Sequence, residues 1–106
     1  MDYEVVAAES FRRDYDSTAD YLEHVLHSPQ AAKRLVAAIR NAVNSLKSSP
    51  MLYAISCKPI LEAHRMRECP VGNYVIVYHV DEKERVIRLH RLFHQLQQYN
   101  DEWYWE

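Results

Sequence analysis

The chain has 106 residues, of which 48% are hydrophobic and 26% are charged, and its formal net charge is −2. This length supports one modest hydrophobic core, and the absence of a basic excess means that composition alone does not indicate nucleic-acid binding. The charges are nevertheless unevenly placed, because residues 1–30 hold seven acids and two arginines whereas residues 31–100 hold eleven Lys or Arg and five acids. The sequence therefore predicts a single domain, 1–106, with a local basic surface.

The two cysteines, Cys57 and Cys69, follow no apolar signal segment, so the sequence predicts reduced thiols and a cytoplasmic location. A zinc site built on these cysteines and His64 would lack a fourth ligand. No apolar run reaches the length of a membrane span. We therefore expect no metal, no cofactor and no membrane association.

Two amphipathic helices are predicted in the first half of the chain. Residues 2–7 have the composition of a short strand, and Ser10 has the side chain of a helix N-cap. Apolar residues recur at helical spacing over 10–26, and Pro29 then opens a second helix, 29–48. The apolar stripe of this second helix consists of Ala32, Leu35, Val36, Ile39, Ala42, Val43 and Leu46. Two such helices form a hairpin that packs on a sheet.

The second half of the chain predicts three strands. Residues 51–61 show no clear periodicity, residues 63–69 are predicted as a strand, and residues 73–80 and 85–94 form a β-hairpin around a DEKE turn. Successive strand side chains point to opposite faces of a sheet. Alternation assigns one core face to Tyr74, Ile76, Tyr78, Val80, Ile87, Leu89, Arg91 and Phe93. Arg91 is expected to pair with an acid or to extend past the helix side chains.

The opposite face of the predicted β-hairpin collects basic side chains. By alternation, His79, Arg88, His90 and His94 share this face with Val75, Val77, Val86 and Leu92, and Arg65 and Arg67 share one face of the preceding strand. We expect one working surface to be formed by Arg65, Arg67, Arg88, His90 and His94. The alternative is that each of these side chains is simply solvated.

Several stretches, taken in order, resemble the RelE/ParE superfamily of toxins from bacterial type II toxin–antitoxin systems. They are DYLEHVLHSPQAAKRLVAAIRNAVNSLKSSP in the helices, HRMRECPVGNYVIVYHVDEK in the strands and VIRLHRLFHQLQQYND near the end. The resemblance implies an α+β fold in which a helical hairpin packs on a small antiparallel sheet, in the order β-α-α-β-β-β followed by a C-terminal tail. It also implies a basic groove on the other face of the sheet.

Two activities occur in this superfamily, and the resemblance leaves both open. RelE-like members are ribosome-dependent endoribonucleases that cut mRNA, whereas ParE-like members inhibit DNA gyrase. Arg65, Arg67 and His94 match basic positions of RelE-like members. The ParE-like traits are the long helical hairpin, the RLFHQ sequence and Val75, which follows Tyr74 where RelE-like members have an arginine. We expect a ParE-like gyrase inhibitor, with a RelE-like mRNA endoribonuclease as the alternative.

RNA cleavage requires a base for the 2′-hydroxyl proton, cations for the charged phosphorane and an acid for the leaving oxygen. Histidine titrates near neutral pH, and arginine binds phosphate through two parallel hydrogen bonds. The endoribonuclease alternative therefore assigns catalysis to His94, His90 and Arg67. Binding of the target is assigned to Arg65, Arg67, Arg88 and Tyr99.

The resemblance further implies a cognate antitoxin that lays a helix or strand along the toxin and forms a hetero-oligomer with it. The expected target is DNA gyrase or the ribosome with its mRNA, and the expected roles are growth inhibition and plasmid stabilization. The tail, 95–106, ends in the aromatic run Trp103, Tyr104 and Trp105. Because large exposed apolar patches promote association, we expect this tail to be docked on the domain or covered by a partner.

Overall fold

The computed structural model describes residues 3–96, in which two long helices pack on one face of a four-stranded sheet. The strands are β1 (Glu4–Ala7), β2 (Arg67–Val71), β3 (Tyr74–Asp81) and β4 (Val86–His94). The helices are α1 (Glu9–Asp20), which continues as a π-helical segment (Tyr21–Val25), α2 (Pro29–Ser48) and the short α3 (Pro59–Ala63). None of the helices in this described part of the chain is long and apolar enough to cross a membrane.

The strand order is β1-β4-β3-β2, so the predicted α+β fold with a helical hairpin on a small sheet is confirmed. β3 is antiparallel to both of its neighbours. β1 is parallel to β4, with Glu4 opposite Val86, and the sheet is therefore mixed rather than purely antiparallel as predicted. Alternation within β1 carries no information about the direction of its partner, which explains the difference.

The helical hairpin begins and ends close to the predicted positions. α1 starts at Glu9 with Ala8 as its N-cap residue, so Ser10 is not the cap. The chain then widens into π-helical geometry, in which the amide of Leu26 donates to the carbonyl of Tyr21 (3.0 Å). Ser28 caps α2 as predicted, since its hydroxyl oxygen accepts a hydrogen bond from the amide of residue 31 (3.3 Å) and Pro29 occupies the first turn.

The apolar stripe of α2 lies against the sheet. Leu35, Ile39 and Leu46 are buried, and they belong to one core with strand residues that include Ile76 and Tyr78. We call this side of the sheet the helix face. The hydroxyl of Tyr78 donates to the carbonyl of residue 50 (3.3 Å), and burial of this ring raises the pKa of Tyr78 to about 12.

The segment before β2 differs from the prediction of a strand over 63–69. Residues 59–63 form α3, and Leu61 joins Met66, Val77 and Phe93 in a small apolar cluster on the opposite side of the sheet, which we call the second face. Arg65 has a left-handed backbone (φ 55°), which is incompatible with a continuous strand, and β2 begins only at Arg67.

A β-bulge in β4 changes which residues share a face. Val77 lies opposite Arg91, but the next residue of β3, Tyr78, lies opposite Leu89, so His90 is an extra residue between two pairs. Alternation is reversed beyond this point. Leu92 and His94 therefore lie on the helix face and Arg91 and Phe93 on the second face, which is the opposite of the assignment predicted for all four.

On the edge of β4 away from β3, the bulged part of β4 is held by α1 instead of by β1. β1 pairs with β4 only as far as Leu89, and the hydroxyl of Ser10 then donates to the carbonyl of His90 (2.7 Å). The Asp14 carboxylate accepts hydrogen bonds from the amide of Leu92 (3.0 Å) and from Nε of Arg91 (2.6 Å). The expected pairing of Arg91 with an acid is thus confirmed, and the acid is Asp14.

Candidate functional site

Basic side chains gather on the second face beside the bulge in β4. Arg88 lies directly opposite His79, and the extra residue His90 follows on the same strand. Burial first, and then the neighbouring His79, Arg88 and His64, lower the pKa of His90. We call these four residues, His64, His79, Arg88 and His90, the histidine cluster. Its members come from both strands and from the segment that follows α3.

A cleft of about 310 Å³ lies beside this cluster, at the edge of β3. The pairing of β2 with β3 ends at Arg67 opposite Tyr78, so the rest of β3 extends past its neighbour. Arg65 and His79 line the cleft together with Arg67, and Asp81 is among the residues that complete it. Because Asp81 lies among these basic side chains, the cleft carries both positive and negative charge.

Arg65 and Arg67 both line the cleft, but they are not equivalent. Arg65 is exposed, whereas Arg67 lies opposite Tyr78 and is partly buried. Nη1 of Arg67 donates to the carbonyl of Tyr53 (2.6 Å), and this bond ties the chain that precedes α3 to the sheet. Part of the hydrogen-bonding capacity of Arg67 is therefore already used within the protein.

His94 does not join the histidine cluster, so the prediction that five basic residues converge on one face is wrong for this residue. The bulge turns His94 to the helix face, opposite Tyr74, where the two rings meet edge to face with centroids 5.3 Å apart. Both rings line a cavity of about 450 Å³ with Tyr21. Tyr99 lies outside the described residues.

Alternation in the sequence placed Arg88, His90 and His79 on the second face, but neither His79 nor His64 was predicted as a candidate site residue. His79 has the alternation of that face, and Arg88 follows the turn at the distance required for a cross-strand pair, so the signal for His79 was present. For His64 there was none, because its position depends on α3 and on the left-handed turn at Arg65.

The histidine cluster is suited to binding an anionic or hydrogen-bonding partner. Arg88 is exposed and always charged, and the lowered pKa of His90 favours a neutral ring with one donor and one acceptor nitrogen. Across residues 3–96, no group of three His, Cys, Asp or Glu side chains is arranged to hold a metal ion. Cys57 is exposed, Cys69 is buried, and both are free thiols.

Two solved structures have similar folds. One is the toxin–antitoxin complex RelBE2 from Mycobacterium tuberculosis, with a TM-score of 0.64 and 18% identity, covering 89% of this chain and 99% of that chain. The other is the chromosomal ParDE toxin–antitoxin system from P. aeruginosa, with a TM-score of 0.66 and 19% identity, covering 87% of this chain and 95% of that chain. At these identities, the likeness shows the fold.

The sequence itself carries a more specific signal. A search against curated proteins finds no significant match. Residues 5–99, however, match the profile of a family described as the ParE toxin of the type II toxin–antitoxin system parDE. The match spans both helices of the hairpin and all but the first residue of the sheet. The chain therefore belongs to the family of ParE toxins of type II toxin–antitoxin systems.

Proposed function

We propose that this toxin acts by binding and inhibiting DNA gyrase, without hydrolytic chemistry of its own. The observation that carries the proposal is the separation of His94 from the histidine cluster by the bulge at His90. An endoribonuclease needs its acid and base groups beside the cations that hold the phosphate. Here His94 contacts Tyr74 on the helix face, whereas Arg88 lies on the second face.

The remaining candidates for phosphate binding also support a binding protein better than a nuclease. Arg67 donates to a backbone carbonyl, and the cleft that it lines with Arg65 contains acidic side chains, which oppose the approach of a phosphate. Val75, the position at which RelE-like members carry an arginine, lies opposite Phe93. Arg65, Arg88 and His90 are then contacts for a partner rather than catalytic groups.

We also propose that a cognate antitoxin neutralises the toxin by forming a hetero-oligomer with it. The two solved relatives are described as a toxin–antitoxin complex and as a toxin–antitoxin system. The surface of this chain offers apolar cavities along its helices as well as the charged cleft, and both kinds of surface suit an extended or helical peptide.

The proposal is tested by adding the purified toxin to purified gyrase and measuring ATP-dependent supercoiling of relaxed plasmid. The same preparation is added to a translation reaction, in which mRNA integrity is followed by primer extension. We expect loss of supercoiling and intact mRNA. Arg88→Glu, compared with the exposed helix variant Arg40→Glu as control, should weaken gyrase inhibition selectively. Ribosome-dependent mRNA cleavage with unimpaired supercoiling would instead establish the endoribonuclease alternative.

A further inference from the structure

Two adjoining cavities surround Tyr74, where α2 passes the turn between β2 and β3. The first, of about 320 Å³, is lined largely by apolar side chains that include Leu22 and Leu35. The second, of about 450 Å³, is lined by residues that include Tyr21, which is 50% exposed. Tyr74 lines both cavities, so they adjoin at this residue, and we call the two together the Tyr74 groove.

The charge in the first cavity has one sign. Of the described residues that line it, Arg34 on α2 is the only charged one, and its side chain is exposed. An occupant of complementary chemistry therefore combines a large apolar or aromatic group with a nearby carboxylate.

The described chain ends at the wall of this groove. The amide of Gln95 donates to the carbonyl of Asn73 (2.9 Å), and its side-chain amide donates to the carbonyl of Gly72 (3.0 Å). Gly72 and Asn73 both line the first cavity. These bonds fix the position from which the rest of the chain departs, so the following residues start beside the groove.

The sequence that follows has the composition that the groove requires. Residues 97–106, which lie outside the described residues, read QQYNDEWYWE and contain four aromatic residues, three acids and no Lys or Arg. Ten extended residues reach up to roughly 33 Å, which exceeds the span of a cavity of this size. A tethered segment also has an effective concentration in the millimolar range, so even weak contacts suffice for occupancy.

We propose that the C-terminal segment 97–106 binds in the Tyr74 groove of the same molecule, with aromatic side chains against the apolar wall and a carboxylate beside Arg34. The proposal depends on the groove and the sequence of the segment, and it holds whether or not gyrase is the target.

The chain provides its own probe, because its two tryptophans are Trp103 and Trp105 and all tryptophan fluorescence therefore reports on this segment. The full-length toxin is excited selectively at tryptophan, and acrylamide quenching is measured in buffer and in denaturant. We expect a blue-shifted emission and a quenching constant several-fold lower in buffer. Quenching equal to that of the denatured chain would overturn the proposal.

Matched charge reversals locate the contact. Arg34→Glu should raise the quenching constant towards the denatured value, whereas Arg40→Glu, also exposed on α2, should leave it unchanged. Melting temperatures are compared to verify that each variant is folded. A second variant, Ala38→Gln, fills the first cavity and should have the same effect as Arg34→Glu. Shielding unchanged in both groove variants would overturn the proposal.

Two other outcomes would assign the segment elsewhere. If Arg88→Glu raises the quenching constant and Arg34→Glu does not, the segment binds on the second face. If the protection of the tryptophans from acrylamide disappears on dilution, the segment binds to another molecule. Either result would contradict binding in the groove of the same chain.

Discussion

The contact between Asp14 and the bulged end of β4 predicts a large and local effect on stability. One carboxylate accepts hydrogen bonds from Nε of Arg91 (2.6 Å), from its Nη2 (3.0 Å) and from the amide of Leu92 (3.0 Å). The side chains of Arg91 and Asp14 are only 10% and 17% exposed, so solvent screens the pair weakly. The Asp14→Ala variant would leave a nearly buried guanidinium and a strand amide without this acceptor.

The expected cost follows from these two losses. Breaking a buried ion pair by removing one partner costs about 3–5 kcal/mol, and this range already contains the penalty for the cation left behind. The residual exposure of both side chains places the expected value near the lower limit, at about 3 kcal/mol. The guanidinium of Arg91 also stacks on the Phe93 ring, 4.9 Å from its centroid, which retains part of its packing in the variant.

The measurement is urea unfolding at pH 7, followed by circular dichroism and analysed with a common m-value. Asp16→Ala is the matched control, because Asp16 is exposed on the same helix and should change the free energy of unfolding by less than about 0.5 kcal/mol. The double variant Asp14→Ala/Arg91→Met should recover much of the loss, since no buried charge remains unpaired. Equal costs for Asp14→Ala and Asp16→Ala would refute the assigned role of this carboxylate in holding β4.

Two further predictions concern the core and pH. Leu35→Ala and Ile39→Ala should each lower the free energy of unfolding by roughly 2–5 kcal/mol, because both side chains are buried against the sheet. A loss below about 0.5 kcal/mol for both variants would contradict this packing. Since the pKa of His90 is lowered in the folded protein, protonation disfavours folding, and its cost should accumulate as the pH falls below the unfolded value of about 6.5. Unfolding titrations at pH 7.5 and 5 should therefore show a smaller acid-induced loss for His90→Gln than for the parent chain; identical losses would show that this ring does not contribute.

Local pattern was sufficient for much of the fold. The apolar stripe of α2, the Ser28–Pro29 start of that helix and the charged turn between β3 and β4 are all encoded by neighbours in sequence, and all were predicted. Each depends on interactions over a few residues, for which periodicity and capping are direct evidence.

The errors have a common physical cause, which is contact between distant segments. The bulge at His90 coincides with a hydrogen bond donated by Ser10 and one accepted by Asp14, which lie 80 and 77 residues from their β4 partners. One extra residue then reverses every face assignment after it. Parallel pairing of β1 with β4 is equally non-local. The face of the sheet was therefore predicted correctly before the bulge, for Arg88, and incorrectly after it, for His94.

The substitution His94→Gln tests the central claim most directly. His94 would transfer a proton in an endoribonuclease, whereas it would be at most a contact in a gyrase inhibitor. The effect of the substitution is measured on gyrase supercoiling and on mRNA integrity in translating ribosomes, with folding verified by melting temperature. If the toxin acts by binding gyrase, the change removes at most a contact worth about 1 kcal/mol, so inhibition should weaken by no more than about fivefold. If His94 transfers a proton during RNA cleavage, the parent toxin should cut mRNA and the variant should cut it roughly 10²–10⁴-fold more slowly, and that result would contradict the proposed function.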